Sequence, residues 1–153
     1  MKEEISVREF RPEDAPEIVR LHKESEDCFE EMDVDEPFIY HVAARSDYKF
    51  YVAESSGRIV GFCGVLYFAS FGRAEVGPIA VDKSFRRRLA ASRLLERVLR
   101  FLRTNGTRRV IARVKAGNSG SLLFFSTAGF IQEGLFKEYT KKKEDVLQLV
   151  RFL

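Results

Sequence analysis

Arg86, Arg87 and Arg88 stand in a row between a segment that reads as the end of a strand and one that reads as an amphipathic helix. The chemistry open to such a junction is the holding of an anion. A helix N-terminus offers about four backbone N–H groups without intrahelical partners and roughly half a positive charge. A diphosphate fits that geometry, and arginines add charge-assisted bonds to phosphate oxygens. Such cradles usually rely on glycine, yet none occurs between Gly77 and Gly106. The same residues also read as a basic helix start with no ligand, or as a phosphate-contacting face made with Arg93, Arg97, Arg100 and Arg103. No sequence-reading motif accompanies those arginines, which argues against nucleic acid.

Other chemistries find little support. Cys28 and Cys63 form no CxxC pair and have no histidine cluster nearby, which points away from zinc and from a disulfide framework. Neither cysteine has a paired base for covalent catalysis. His22 and His41 each fall among apolar neighbours and read as packing or surface residues. The net charge of +3 is too small to imply a polyanionic partner. Its distribution says more. Residues 24–36 hold eight acids and no base, whereas residues 86–113 hold ten arginines and one acid, Glu96. The N-terminus lacks an apolar signal region and no apolar run approaches the ~20 residues of a membrane span. The expectation is a cytoplasmic protein with no membrane partner.

The elements that position these residues follow from periodicity. Residues 5–10 alternate as a strand. Pro12, Glu13 and Asp14 open a helix carrying Ala15, Ile18, Val19 and His22. Pro37 precedes a second helix. Strands at 50–54 and 59–68 flank the turn Ser55-Ser56-Gly57-Arg58 and read as a hairpin. A third antiparallel strand, 74–81, is interrupted by Gly77-Pro78, which signals a bulge or a splayed end. Helix 86–103 has an apolar stripe of Ala91, Leu94, Leu95, Val98, Leu99 and Leu102. Strand 110–114 follows and should run parallel to 74–81, because a helical crossover precedes it. Asn118 starts another helix ending at Gly129, and strands 130–139 and 145–152 close the chain. The prediction is one α+β domain spanning 1–153. Its order is β-α-α-β-β-β-α-β-α-β-β, a mixed, mostly antiparallel central sheet flanked by helices.

With this order, the stretch "NSGSLLFFSTAGF" is decisive. It sets Asn118, Ser121, Phe125, Gly129 and Phe130 in the register of the second motif of the GNAT superfamily of N-acetyltransferases, which the chain resembles along nearly its whole length. The first motif, Arg/Gln-x-x-Gly-x-Gly/Ala before a helix, is matched by Arg86 and Ala91 but has Leu89 at the central glycine. Phe125 stands where the second motif has tyrosine. The resemblance implies transfer of an acetyl group from acetyl-CoA to an amine. It implies a CoA site made by Ile79, Ala80, Val81, Arg86, Arg87, Arg88, Leu89, Ala90, Ala91, Ser92, Asn118, Ser121 and Phe125. Glu75 is implied as the base that frees the amine, and the N–H of Ile79 or Ala80 as the group that polarises the thioester carbonyl.

The two departures have physical consequences. Leucine at 89 forbids nothing if its φ is helical; what it adds is bulk, either toward the ligand or toward the core, and on the buried side it would leave the N–H groups free. Phe125 cannot donate a proton to the departing thiolate, a step typically worth ~10²–10⁴ in rate. Tyr139 and Tyr67 are the candidate substitutes, although both read first as packing residues. The acidic stretch from Glu24 to Glu36 lies where acceptors approach in this superfamily, so the expected acceptor is a cationic small-molecule or protein amine steered by carboxylates. The alternative is a degenerate domain that binds acyl-CoA or another ligand as a sensor without turnover. Phe124, Phe125, Phe136 and Phe152 leave room for a homodimer.

Overall fold

Strand β3, Arg58–Phe68, is apolar on both faces over most of its length and is buried for seven consecutive residues. A strand of that kind needs cover on both sides, and the rest of the chain supplies it. In the computed structural model, which describes residues 4–29, 33–86 and 89–153, the chain begins with β1 (Ile5–Glu9), α1 (Ala15–Glu24), α2 (Glu36–Ala43) and β2 (Tyr48–Ser55). After β3 come β4 (Arg73–Val81), α3 (Ala90–Thr104) and β5 (Arg109–Lys115). The chain ends with α4 (Ser119–Thr127), β6 (Ile131–Phe136) and β7 (Val146–Phe152). The sheet has seven strands in the order β1-β2-β3-β4-β5-β7-β6, and only the β4–β5 pair is parallel. The element order and the mixed, mostly antiparallel sheet are those expected from the sequence.

Helix α3 packs on one face of the sheet through Leu94, Leu95, Val98, Leu99 and Leu102, all buried with Val60, Cys63 and Val65 of β3. Helices α1 and α2 cover the other face, where Ile18, Leu21 and Ile39 meet Phe50, Val52 and Phe62. The arginine face of α3 is partly engaged with the protein itself. Arg93 Nη1 donates to the Ile5 carbonyl at 2.7 Å, and the Arg97 guanidinium lies 4.9 Å over the Tyr51 ring.

Several boundaries differ from the sequence reading. Helix α3 begins at Ala90, not at residue 86, because residues Lys83–Phe85 form a separate short 3-10 turn and Leu89 is not helical. Ala90 therefore joins the buried stripe, and Ala91 is only half-buried. Strand β6 stops at Phe136, because Glu138 and Lys143 take positive φ in the turn that follows. The parallel β4–β5 pairing is also shorter than expected. It covers only Arg73–Glu75 against residues 109–111. Beyond it, the β3–β4 register shifts between Cys63 and Val65, opposite Gly77-Pro78, as a bulge. Strand β5 instead pairs along its whole length with β7.

Asp82 fixes the corner where β4 turns toward α3. Its backbone N–H donates to Val60 O at 2.8 Å. Its Oδ1 accepts from the Ser84 N–H at 3.0 Å and the Ser84 hydroxyl at 2.7 Å. Its Oδ2 accepts from Arg20 at 3.0 Å and Arg58 at 3.4 Å. The Ser84 donors, aided by Arg20, lower its pKa from 3.8 to about 2. Because the folded value lies below the unfolded one, the stabilisation is complete above pH ~4 and fades as acid approaches pH 2. Asp82→Asn is expected to reduce unfolding free energy by about 2 kcal/mol at neutral pH. The gap to the unsubstituted protein should close between pH 4 and pH 2, as read by denaturant titration. A gap constant across that range would contradict the assignment.

Candidate active site

Once β4 and β5 part, the sheet opens into a cleft of about 1460 Å³. Two features hold the opening. Pro78 has no N–H to offer a neighbouring strand, and the bulge turns β4 away from β5. The direction of the β4 donors follows from alternation along an extended chain. Asp82 donates to Val60, and Ala80 stands opposite Phe62, so the N–H of Ala80 points to β3. Those of Ile79 and Val81 point the other way, into the opening. Of the two donors considered from sequence, Ile79 is the one turned toward the cleft.

Glu75 sits at the vertex, as the last β4 residue paired with β5. Ala74 and Val76 on either side are buried beneath α3, so the Glu75 side chain lies on the α1/α2 face and lines the cleft. The Tyr48 hydroxyl donates to Gly77 O at 3.4 Å on the same bulge. Gly64 makes room for it, since a Cβ there would collide with the Tyr48 hydroxyl. Sequence reasoning passed over Tyr48, because only the pairing of β2, β3 and β4 brings it to Gly77.

Across the opening stands the N-terminus of α3. Arg93 N–H makes the first intrahelical bond, to Leu89 O at 2.9 Å. The N–H groups of Ala90, Ala91 and Ser92 have no acceptor among the described residues. No side chain caps the helix and no acid lies in its first turn. Both features leave the positive end of the helix dipole available to an anion. Arg86 is tied back by bonds to Val81 O at 3.3 Å and Ser25 Oγ at 3.0 Å. Arg87 and Arg88 lie outside the described residues.

The helical φ on which the reading of Leu89 is conditional is not found, and of its two possible directions the side chain takes the one away from the core. Its φ is +67° and its ψ 5°, a left-handed conformation and not a helical one. Its side chain is 64% exposed at the cleft rim and does not turn into the core. The backbone thus adopts the form that glycine favours, with leucine in place, at a steric cost of about 1–2 kcal/mol.

Helix α4 closes the same end. Asn118 Oδ1 caps it by accepting from Ser121 N–H at 3.1 Å, and Nδ2 of Asn118 has no protein partner among the described residues. Both residues line the cleft. Phe125 does not. It is 7% exposed and packs edge-on against Phe124 and Phe130, with ring centroids 5.1 Å away in each case. Phe124 reaches the cleft instead. Glu75, Ile79, Ala80, Val81, Arg86, Leu89, Ala90, Ala91, Ser92, Asn118 and Ser121 are therefore gathered around one cavity, and Phe125 stands behind its wall.

The acid-lined approach is not what the described residues form. Glu24 pairs with Arg20 at 3.0 Å, Glu26 accepts the Asp33 N–H, and Asp35 caps α2. None of the described acids of that stretch lines the cleft; Glu30 and Glu31 lie outside the described residues. These carboxylates are used locally as caps and pair members, and the rim of the cleft carries the cations Arg45, Arg113 and Lys115. Of the tyrosines considered as proton donors, Tyr67 packs on Phe101 and donates to Ser46 O, away from the cleft. Tyr139 lies beside Arg113. Burial pushes the Cys63 thiol up, which removes it as a nucleophile. Among the described residues no group of three or more His, Cys, Asp or Glu is placed to hold a metal ion, and no helix is long and apolar enough to cross a membrane.

Leu89→Gly tests the left-handed junction. Removing the Cβ relieves the steric cost, while glycine adds freedom to the unfolded chain worth about 0.5–1 kcal/mol. The expected net result is a stability gain of about 0.5–1 kcal/mol in denaturant titration. A loss of stability would show that the leucine side chain packs usefully at the rim.

Comparison with known proteins bears on the fold and the family. A sequence model of the Acetyltransferase (GNAT) family matches residues 18–130. No curated protein matches the chain significantly. Among solved structures, Ard1 from Thermoplasma volcanium is 23% identical and superimposes with a TM-score of 0.86, over 97% of each chain. A ribosomal-protein-alanine N-acetyltransferase from Brucella melitensis is 21% identical with a TM-score of 0.85, over 97% of this chain and 99% of its own. An N-acetyltransferase from Staphylococcus aureus is 21% identical with a TM-score of 0.83, over 97% of this chain and 98% of its own. At these identities the structures speak for the fold, and the family match covers most of the chain. The family model spans residues 18–130, more than half of the chain, and the chain belongs to the GNAT acetyltransferases.

Proposed function

We propose that residues 1–153 act as one N-acetyltransferase domain that moves an acetyl group from acetyl-CoA to a primary amine by direct attack in a ternary complex. The observation that carries this reading is the placing of three N–H groups, on Ala90, Ala91 and Ser92, without an acceptor among the described residues, beside the gap between β4 and β5. The diphosphate of CoA would sit on those donors, with Arg86, Asn118 and Ser121 around it. The pantetheine arm would run along β4, held by the outward N–H group of Val81. The thioester carbonyl would then lie near the bulge, where the N–H of Ile79 stabilises the developing oxyanion.

The acceptor approaches on the α1/α2 face and gives up a proton to Glu75, directly or through a water, because an alkylamine with pKa ≈ 10.4 is mostly protonated at neutral pH. The neutral nitrogen attacks the acetyl carbon, the C–S bond breaks, and an amide and the CoA thiolate result. Phe125 has no proton to give. A thiolate of pKa near 8.5 leaves tolerably well and takes its proton from solvent. Both cysteines are free thiols, in keeping with a reducing cytoplasm.

Calorimetric titration with acetyl-CoA, with CoA alongside, followed by a screen of amines for CoA release, tests the proposal. Micromolar binding with amine-dependent release supports it. Binding without release from any amine favours a sensor of acyl-CoA, and absence of binding at millimolar ligand overturns the enzyme reading and leaves the degenerate domain. Glu75→Gln is expected to lower kcat about 10²–10⁴-fold at pH 7. The deficit should shrink toward pH 10, where the amine is already neutral. An undiminished deficit at high pH would remove Glu75 from the base role.

A further inference from the structure

The acceptor side of the cleft carries a guanidinium that the protein itself does not neutralise. Arg113 is on β5, two residues beyond Ile111, the parallel partner of Glu75. Side chains two apart on a strand share a face, so Arg113 and Glu75 look into the same opening, their backbones on the order of 10 Å apart. Both line the cleft.

The surroundings hold Arg113 in place without cancelling its charge. Its Nε donates to Gln148 Oε1 at 3.2 Å and its Nη1 to the Tyr139 hydroxyl at 3.4 Å. The rings of Phe136 and Tyr139 lie 5.5 and 5.9 Å from its guanidinium carbon. Gln148 is oriented in turn, since its Nε2 donates to Glu133 at 2.7 Å and presents its oxygen to Arg113. The nearby carboxylate, Glu133, is itself paired with Arg109. A neutral amide thus separates Arg113 from that acid. Among the described residues Arg113 has no carboxylate partner. The other cations on this rim are committed, Arg45 to both oxygens of Asp47 and Lys115 to Glu144 and the Asp27 carbonyl.

We infer that Arg113 binds an anionic group of the acceptor, so that the substrate class is an amine carrying a carboxylate or a comparable oxyanion a few bonds from its nitrogen, as in an amino acid. Arginine suits this task, because its fork takes both oxygens of a carboxylate and its plane stays stacked on the aromatic rings. The amine of such a molecule then falls toward Glu75. This assignment rests on the acyl-transfer reading of the same cleft, and it reverses the expectation of a cationic acceptor.

The test separates the two ideas by measuring binding apart from turnover. N-acetyl-leucine and N-acetyl-leucinamide, product-like ligands differing in one charge, are titrated into the CoA-saturated protein by calorimetry. The acid should bind at least ten-fold more tightly than the amide. Arg113→Met should erase that preference, weakening the acid about 10–100-fold while leaving the amide and CoA affinity unchanged. Arg113→Lys should restore part of it, since lysine keeps the charge and loses the fork. Unchanged CoA affinity serves as the folding control. Acid and amide that cannot be told apart, or a preference that survives Arg113→Met, overturn the assignment. A preference lost in Arg113→Met, in a protein that acetylates no amine, keeps Arg113 as an anion site and rejects the acyl-transfer reading.

Discussion

The parting of β4 from β5 after three paired residues is the constraint on which the rest of this structure depends. A parallel pair continued to the end of β4 would occupy the N–H groups of Ile79 and Val81 and close the cavity. The bulge facing Gly77-Pro78 prevents this, and Pro78 has no donor with which to continue the ladder. Strand β5 is not left exposed as a result, because β7 pairs with all of it. The gap therefore costs little backbone hydrogen bonding, and the unpaired donors it leaves on β4 face one cavity.

The same parting sets the position of α3. Asp82 ends β4, holds the Ser84 turn through two bonds, and ties both to α1 through Arg20. Helix α3 starts at Ala90, which lines the same cleft. A helix start in this place would ordinarily satisfy its donors with a cap. Here there is none, and the residue before the helix is a left-handed leucine with an exposed side chain. The backbone keeps the geometry of a glycine cradle although the glycine is gone. Local strain of this kind persists where the surrounding structure over-determines the conformation.

On the other face of the sheet, charge is arranged in a way that linear order does not reveal. The acidic stretch before α2 spends described carboxylates on caps and pairs close by, and among the described residues the Arg113 guanidinium lines the cleft without a carboxylate partner. An acid-rich segment and an acid-lined site are different things, because a carboxylate near a helix start finds backbone donors within a few residues.

By itself the sequence determined the element order, an interruption of β4 at Gly77-Pro78, and the family, because periodicity, turn residues and the spacing from Asn118 to Phe130 are local properties. Register, backbone φ and facing were decided only by the tertiary structure. Leu89 could not be known to be left-handed until the Asp82 corner and the start of α3 were joined. Phe125 could not be known to lie behind the wall until Phe124 and Phe130 closed around it. Tyr48 meets Gly77, and Arg113 meets Gln148 and shares a face with Glu75, through strand pairings between residues 29 to 38 positions apart in the chain. Pairing at that distance is set by the whole sheet and its two layers of helices, which no window of sequence contains.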